Sequence, residues 1–303
     1  MHGIEKKGLQ KRRGDIGYLY VAPWVIGMLV FQLYPFVVSL FYSFTDYSMG
    51  SDFKWVGLDN YVRMFTRDRD YWDTLFATFR YVFMAVPMKI VAALIVALLL
   101  NMKLRGMSFY RTAYYLPSIM GGSVAVSLLW RSLFEYNGVV NNLLGFFGIK
   151  PIGWLSDPSV ALTTISLLSV WQFGSSMIYF LAGLKQIPQD LYEAARVDGA
   201  GTVRIFFRIT LPMLTPIVFF NLVMQMINAF QEFTSAFVVT NGGPAKSTYL
   251  YGLMLYQNGF MHFRMGYASA LSWVLFIIIL IFTLLVFRSS SYWTFYSDGG
   301  DGF

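Results

Sequence analysis

From Ile16 to Thr45 the chain carries no charged side chain. A helix rises ~1.5 Å per residue, so this run exceeds the ~30 Å hydrocarbon core of a bilayer. The pattern therefore predicts a spanning helix, bent or broken around Pro23 and Pro35. It is too long for a signal-peptide core, and no small-residue cleavage pattern follows it. Five further apolar stretches follow, at Thr74–Asn101 (densest over Ile90–Leu100), Tyr114–Leu133, Val160–Leu184, Leu211–Val239 and Met265–Phe287. The last holds no charge, while the fifth carries polar residues along its second half. The predicted fold class is all-α integral membrane, with six transmembrane helices and both termini on one side. The outer stretches Asp46–Asp73 and Phe134–Pro158 read as aromatic loops.

Composition agrees with that pattern. Apolar residues are 56% and charged residues 13% of the 303, against ~45–50% and ~25% in soluble domains. That charge is too little to cover a water-facing exterior, which excludes a soluble enzyme, a disordered chain and a nucleic-acid binder. The net charge of +7 then reads as Lys and Arg retained in the cytoplasm. With the amino terminus inside, the inner segments hold Lys6, Lys7, Lys11, Arg12, Arg13, Lys103, Arg105, Arg111, Lys185, Arg196, Arg204, Arg208 and Arg288. The outer segments hold the smaller set Lys54, Arg63, Arg67, Arg69, Arg131, Lys150, Lys246 and Arg264. This places residues 1–15 and 289–303 as cytoplasmic tails around a membrane domain of residues 16–288, in a cytoplasmic membrane. No internal repeat is visible, and His2 and His262 are too isolated for a metal site.

Two segments carry candidate chemistry. The inner loop 185–212 contains a short amphipathic helix. Pro188 suits its first turn, Asp190 complements its dipole, and Gly199 or Gly201 can end it. Leu191, Ala194 and Ala195 form a small, smooth apolar face, fit for docking into a groove or for lying on the membrane surface. In the fifth span, Asn221, Gln225, Asn228 and Glu232 are spaced 4, 3 and 4, on one stripe, with Gln231 beside it. Such residues line a wet pathway or hydrogen-bond between helices. Lys89, near the middle of the second span, reads as a packing or pairing residue, and Arg80 as one that snorkels.

The loop also carries a spaced motif. Glu193-Ala194-Ala195 is followed by Gly199 and then by Ile209-Thr210-Leu211-Pro212. This resembles the EAA loop of binding-protein-dependent ABC transporter permeases. Tyr20 to Pro23, Leu116-Pro117, Gly138 to Asn141, Ala182 to Pro188, Thr240 to Pro244 and Gly266 to Ala270 resemble the sugar (MalF/UgpA-like) branch. The chain lacks the added amino-terminal helices and large insertion of the maltose permease.

The resemblance implies a type I ABC importer permease (MetI-like) core. It implies that the loop, through Glu193, Ala194, Ala195, Asp198 and Gly199, couples to a separate ATPase dimer that holds ATP and Mg. No cofactor is expected on this chain, which has no Walker motif and is not itself an enzyme. The implied partners are a second, MalG-like permease, an extracytoplasmic solute-binding protein and a carbohydrate substrate, an oligosaccharide in particular. Amides suit sugar hydroxyls because each both donates and accepts. Trp171 and Phe173 offer aromatic faces for sugar rings, and Ser118, Gly122 and Ser123 join the expected pathway by the same resemblance. The alternatives are an ion-coupled secondary transporter, a glycerol-phosphate importer and an intramembrane enzyme. The stripe itself holds no Arg or Lys, which speaks against a phosphate substrate.

Overall fold

The structure, a computed structural model, describes residues 18, 20–48, 50, 52–102 and 106–295. The expected tail 1–15 and residues 296–303 of the expected tail 289–303, with Lys103 and Arg105, lie outside those residues, while residues 289–293 continue the last helix. The chain divides into two compact units, Met1–Arg67 with Asn258–Trp273, and Asp68–Gln257 with Val274–Phe303.

Among the described residues, four helices are long and apolar enough to span a membrane. They are α1 (Tyr20–Ser43), α2 (Arg69–Leu100), α9 (Thr202–Phe230) and α11 (Met265–Trp293). The third and fourth expected spans are each broken. Helix α3 (Met107–Ile119) meets the stretch containing α4 (Val124–Phe134) and α5 (Val139–Phe146) at 100°. Helices α6 (Pro158–Trp171) and α7 (Gly174–Leu184) meet at 47°. Counting each pair once gives the six spans. Between α7 and α9 lies α8 (Gln189–Val197), and α10 (Tyr251–Tyr256) precedes α11.

In the first unit, α1 widens into a π-helical turn over Leu29–Leu33. It re-forms with Pro35 in the first turn of the next segment, where a missing N–H is tolerated. Pro23 produces no break. The loop that follows is folded against its own unit. The Asn60 amide donates to the Ser43 and Thr45 carbonyls, and Arg63 sits over the Tyr267 ring. An added Cβ at Gly266 would strike the Thr45 carbonyl, so that glycine of the Gly266 to Ala270 motif is a packing requirement.

In the second unit α2 is central, packed against α6, α7 and α9. Its buried residues include Ala85, Ala93 and Ala97, small side chains that let helices approach closely where lipid offers no hydrophobic drive. Phe79, Phe230 and Phe282 form an aromatic cluster at centroid distances of 5.4–5.5 Å. Asp157 caps α6 by accepting from the Ser159 hydroxyl and N–H, which holds its carboxyl below the usual range. Burial pushes the Tyr249 hydroxyl up to about 12, with Asp70 and Asp68 adding to it.

The stretch after α4 is also more ordered than a loop. Asn141 is buried and makes four hydrogen bonds, two from its amide to the Tyr136 and Ile152 carbonyls and two into its oxygen from Ile152 N–H and Trp154 Nε1. Asn141→Ala is expected to cost about 2–4 kcal/mol, because the stranded partners lose their bonds. A lowered thermal unfolding midpoint in detergent is the check, and an unchanged midpoint would contradict it.

Candidate functional site

The two broken spans touch at their breaks. In the first, Gly122 has φ +70°, a left-handed geometry that ends α3 and lets α4 start in a new direction. Ser118 donates to the Gln172 carbonyl at 2.9 Å and accepts from the Ser175 N–H at 3.1 Å. One hydroxyl thus satisfies backbone groups that the fourth span frees at its own break. A Cβ on Gly174 would lie 2.6 Å from the Tyr114 carbonyl, so the two chains cross where only glycine fits. Gly174→Val is expected to destabilise the assembled protein by several kcal/mol, the penalty of overpacking against backbone. Its yield after detergent extraction should fall sharply, while wild-type yield would contradict the crossing.

Beside this crossing is a cavity of about 410 Å³. Its polar lining is Lys89 from α2, the glycine pair Gly121-Gly122, Ser169 and Gln172 at the other break, and Gln225, Asn228 and Glu232 from α9 and the turn after it. Gln225 is buried, and its amide donates to Ser176 on α7 at 3.0 Å. Glu232 accepts the Ser235 N–H and hydroxyl on one oxygen, which fixes its orientation. Lys89 and Glu232 feel each other's charge, yet they are not among the ion pairs closed to 4 Å in the described residues. Broken backbone at membrane depth occurs where it is buried in protein or lines a wet cavity. Here it does both.

Of the pathway residues expected from sequence, Gly122, Gln225, Asn228 and Glu232 come together on this cavity. The others sit off it. Ser118 locks the break, and Ser123 is the N-cap of α4. Trp171 packs on Trp130, and Phe173 lies against Tyr114. Asn221 is buried and donates to the Ile217 carbonyl within its own helix, and Gln231 is the C-cap of α9. Helix α9 ends at Phe230, nine residues short of the expected Val239, so Glu232 joins the stripe from a turn. Lys89, Ser169 and Gln172 complete the site. The charge of Lys89 inside a span was the available signal for it, but periodicity on one helix does not reveal which residues of other helices converge.

The second site is α8. None of its residues is buried. Pro188 stands at its N-cap, one residue before the first turn, and Glu193 accepts a hydrogen bond from Gln189 at 2.7 Å. At the other end Ala200 N–H bonds to the Ala195 carbonyl and Gly199 N–H to the Arg196 carbonyl. With Gly199 at φ +74° this is a Schellman cap, and Asp198 is its C-cap residue. Gly201 instead begins α9. The Tyr192 hydroxyl lies 3.2 Å from that of Thr210, tying α8 to the first turns of α9.

Residues 64–292 match the family described as binding-protein-dependent transport system inner membrane component. The chain is 52% identical over 297 residues to the probable ABC transporter permease protein YesP of Bacillus subtilis, covering 97% of this chain and 96% of that one. It is 37% identical over 288 residues to the lactose transport system permease protein LacF of Rhizobium radiobacter, with 92% and 96% covered. In fold it is similar to a chain of a bacterial ABC transporter involved in the import of the acidic polysaccharide alginate. The TM-score is 0.81 at 22% identity, over 94% of this chain and 98% of that one.

Proposed function

The chain belongs to the family of binding-protein-dependent transport system inner membrane components, multi-pass permease subunits of ABC transporters, and from that premise we propose that it forms half of the translocation pathway of an ATP-driven carbohydrate importer. Its termini and α8 face the cytoplasm. There α8 docks on a separate ATPase dimer that holds ATP and Mg. A MalG-like second permease completes the pathway, and an extracytoplasmic protein delivers the substrate, an oligosaccharide.

The observation that carries this reading is the crossing of two broken spans at one polar cavity. Its amides, hydroxyl and charges can exchange hydrogen bonds with sugar hydroxyls, which both donate and accept. The lactose permease similarity supports the substrate class. Helix α1 supports the second permease: among the described residues none of its most apolar window is buried within its own unit, which leaves surface for lipid and another subunit. ATP closure of the ATPase dimer would move α8 as a rigid body and re-orient the spans about their interface.

The test is uptake into proteoliposomes holding both permeases and the ATPase. Oligosaccharide should accumulate only with ATP inside and the solute-binding protein outside. Asn228→Leu should lower uptake about tenfold, roughly 1.4 kcal/mol, without loss of assembly. Uptake driven by an ion gradient, with no ATPase present, would overturn the reading.

A further inference from the structure

Helix α9 is longer than a bilayer requires. Its 29 residues rise about 43 Å, against ~30 Å of hydrocarbon. From Ile209 to Gln231 no residue is charged, so this run fits the hydrocarbon. The first two turns, which hold Arg204 and Arg208, therefore stand at the level of the lipid headgroups.

A cavity of about 310 Å³ opens beside those turns, lined among others by Ala195, Asp198, Ala200, Arg204 and Arg208. The two arginines are four residues apart and share a face. Both are exposed, and among the described residues neither guanidinium lies within 4 Å of a carboxylate. Asp198 offsets one of the two charges, leaving the cavity net positive. The residue before each arginine is apolar and exposed, Val203 at 72% and Phe207 at 60%. Paired cations beside an apolar stripe, at headgroup depth, are how a helix meets an anionic membrane surface.

We propose that this cavity seats the headgroup phosphate of an anionic phospholipid from the leaflet on the α8 side. Arg204 and Arg208 fork the phosphate oxygens, as planar guanidiniums do, and Val203 and Phe207 lie against the acyl chains. The lipid would then brace the turns of α9 that Gly199 and Gly201 join to α8. The proposal requires only that α9 spans a membrane, and stands apart from the choice of substrate.

The test uses the assembled transporter, washed in detergent with equal dioleoylphosphatidylglycerol and dioleoylphosphatidylcholine and weighed by native mass spectrometry. The wild type should retain the anionic lipid several-fold over the zwitterionic one. Arg204→Gln and Arg208→Gln should each reduce that preference, and the double variant should lose one bound anionic lipid, with Arg131→Gln unchanged. Excess inorganic phosphate should leave the lipid in place, since a free ion lacks the acyl chains. No preference in the wild type, or displacement by phosphate, would overturn the proposal. So would loss of the ATPase subunit from the double variant with lipid retention intact, because the arginines would then be meeting a protein acid.

Discussion

Glu193→Arg together with Gly199→Val is expected to leave the chain in the membrane while removing the ATPase from it. Helix α8 buries nothing in its own chain, so the fold does not depend on Glu193. Among the described residues that side chain makes one bond, an exposed one from Gln189 worth a few tenths of a kcal/mol. Against a partner, reversing a contact charge costs several kcal/mol, on the order of a hundredfold or more in affinity. Gly199 tests the geometry separately. A Cβ there would meet nothing within 4 Å, so the branching carbon itself adds no clash. Its penalty then comes from the left-handed φ of +74°, roughly 1–2 kcal/mol for a residue other than glycine. That strain is relieved by releasing the Schellman cap, which turns α8 away from its docked direction. Co-purification of the ATPase and ATP-driven uptake should both collapse, while the partner permease is retained. Undiminished ATPase recovery from the double variant would remove α8 from the coupling role.

The second large effect is expected at Lys89 and Glu232. Each lines the cavity, Lys89 inside a span and Glu232 just past the end of one, where a lone charge is costly. Lys89→Met leaves the carboxylate without a counter-charge, and Glu232→Gln leaves the ammonium so. The two half-buried charges are not closed to an ion pair, so removing one is expected to cost roughly 1–2 kcal/mol, and uptake should fall about tenfold in either variant. Gln can still accept from Ser235, which keeps the turn after α9 intact. The double variant removes both charges and should recover much of the loss. A double variant as impaired as the product of the singles would show two independent residues. Size-exclusion profiles of all three variants separate this from failed assembly.

How much of this was legible in the sequence depends on the range of the interaction. Apolar run length marked all six spans, and the local chemistry of Pro188, Asp190 and Gly199 marked α8 and its end to within a residue. These are local or one-dimensional signals. The breaks in the third and fourth spans were not marked. Pro117, Gly121 and Gly122 are the cause of one, but proline and glycine are tolerated in membrane helices often enough that they do not announce a 100° turn. The cause of the other is Gly174, whose absent Cβ matters only because Tyr114, sixty residues earlier, passes beside it. The cavity followed the same division. The α9 stripe predicted Gln225 and Asn228, which share one helix face, and Glu232, which reaches the cavity from the turn after the helix. Asn221 lies on the same stripe yet is sealed into its own helix, and Lys89 and Gln172 enter from elements whose approach no periodicity encodes. The argument that the stripe lacks a cation therefore applied to one helix and not to the site.

Helix α1 has a consequence for the cell as well as for the complex. Among the described residues its most apolar window holds no buried residue, although Phe36 packs on Trp273, and a hydrophobic segment so lightly covered would remain recognisable to membrane quality control until another subunit covered it. Its residence time in the membrane would then be set by supply. Synthesis in excess of the companion subunit should yield chains that are degraded young, so the abundance of this protein should follow that of its companion and not its own rate of translation.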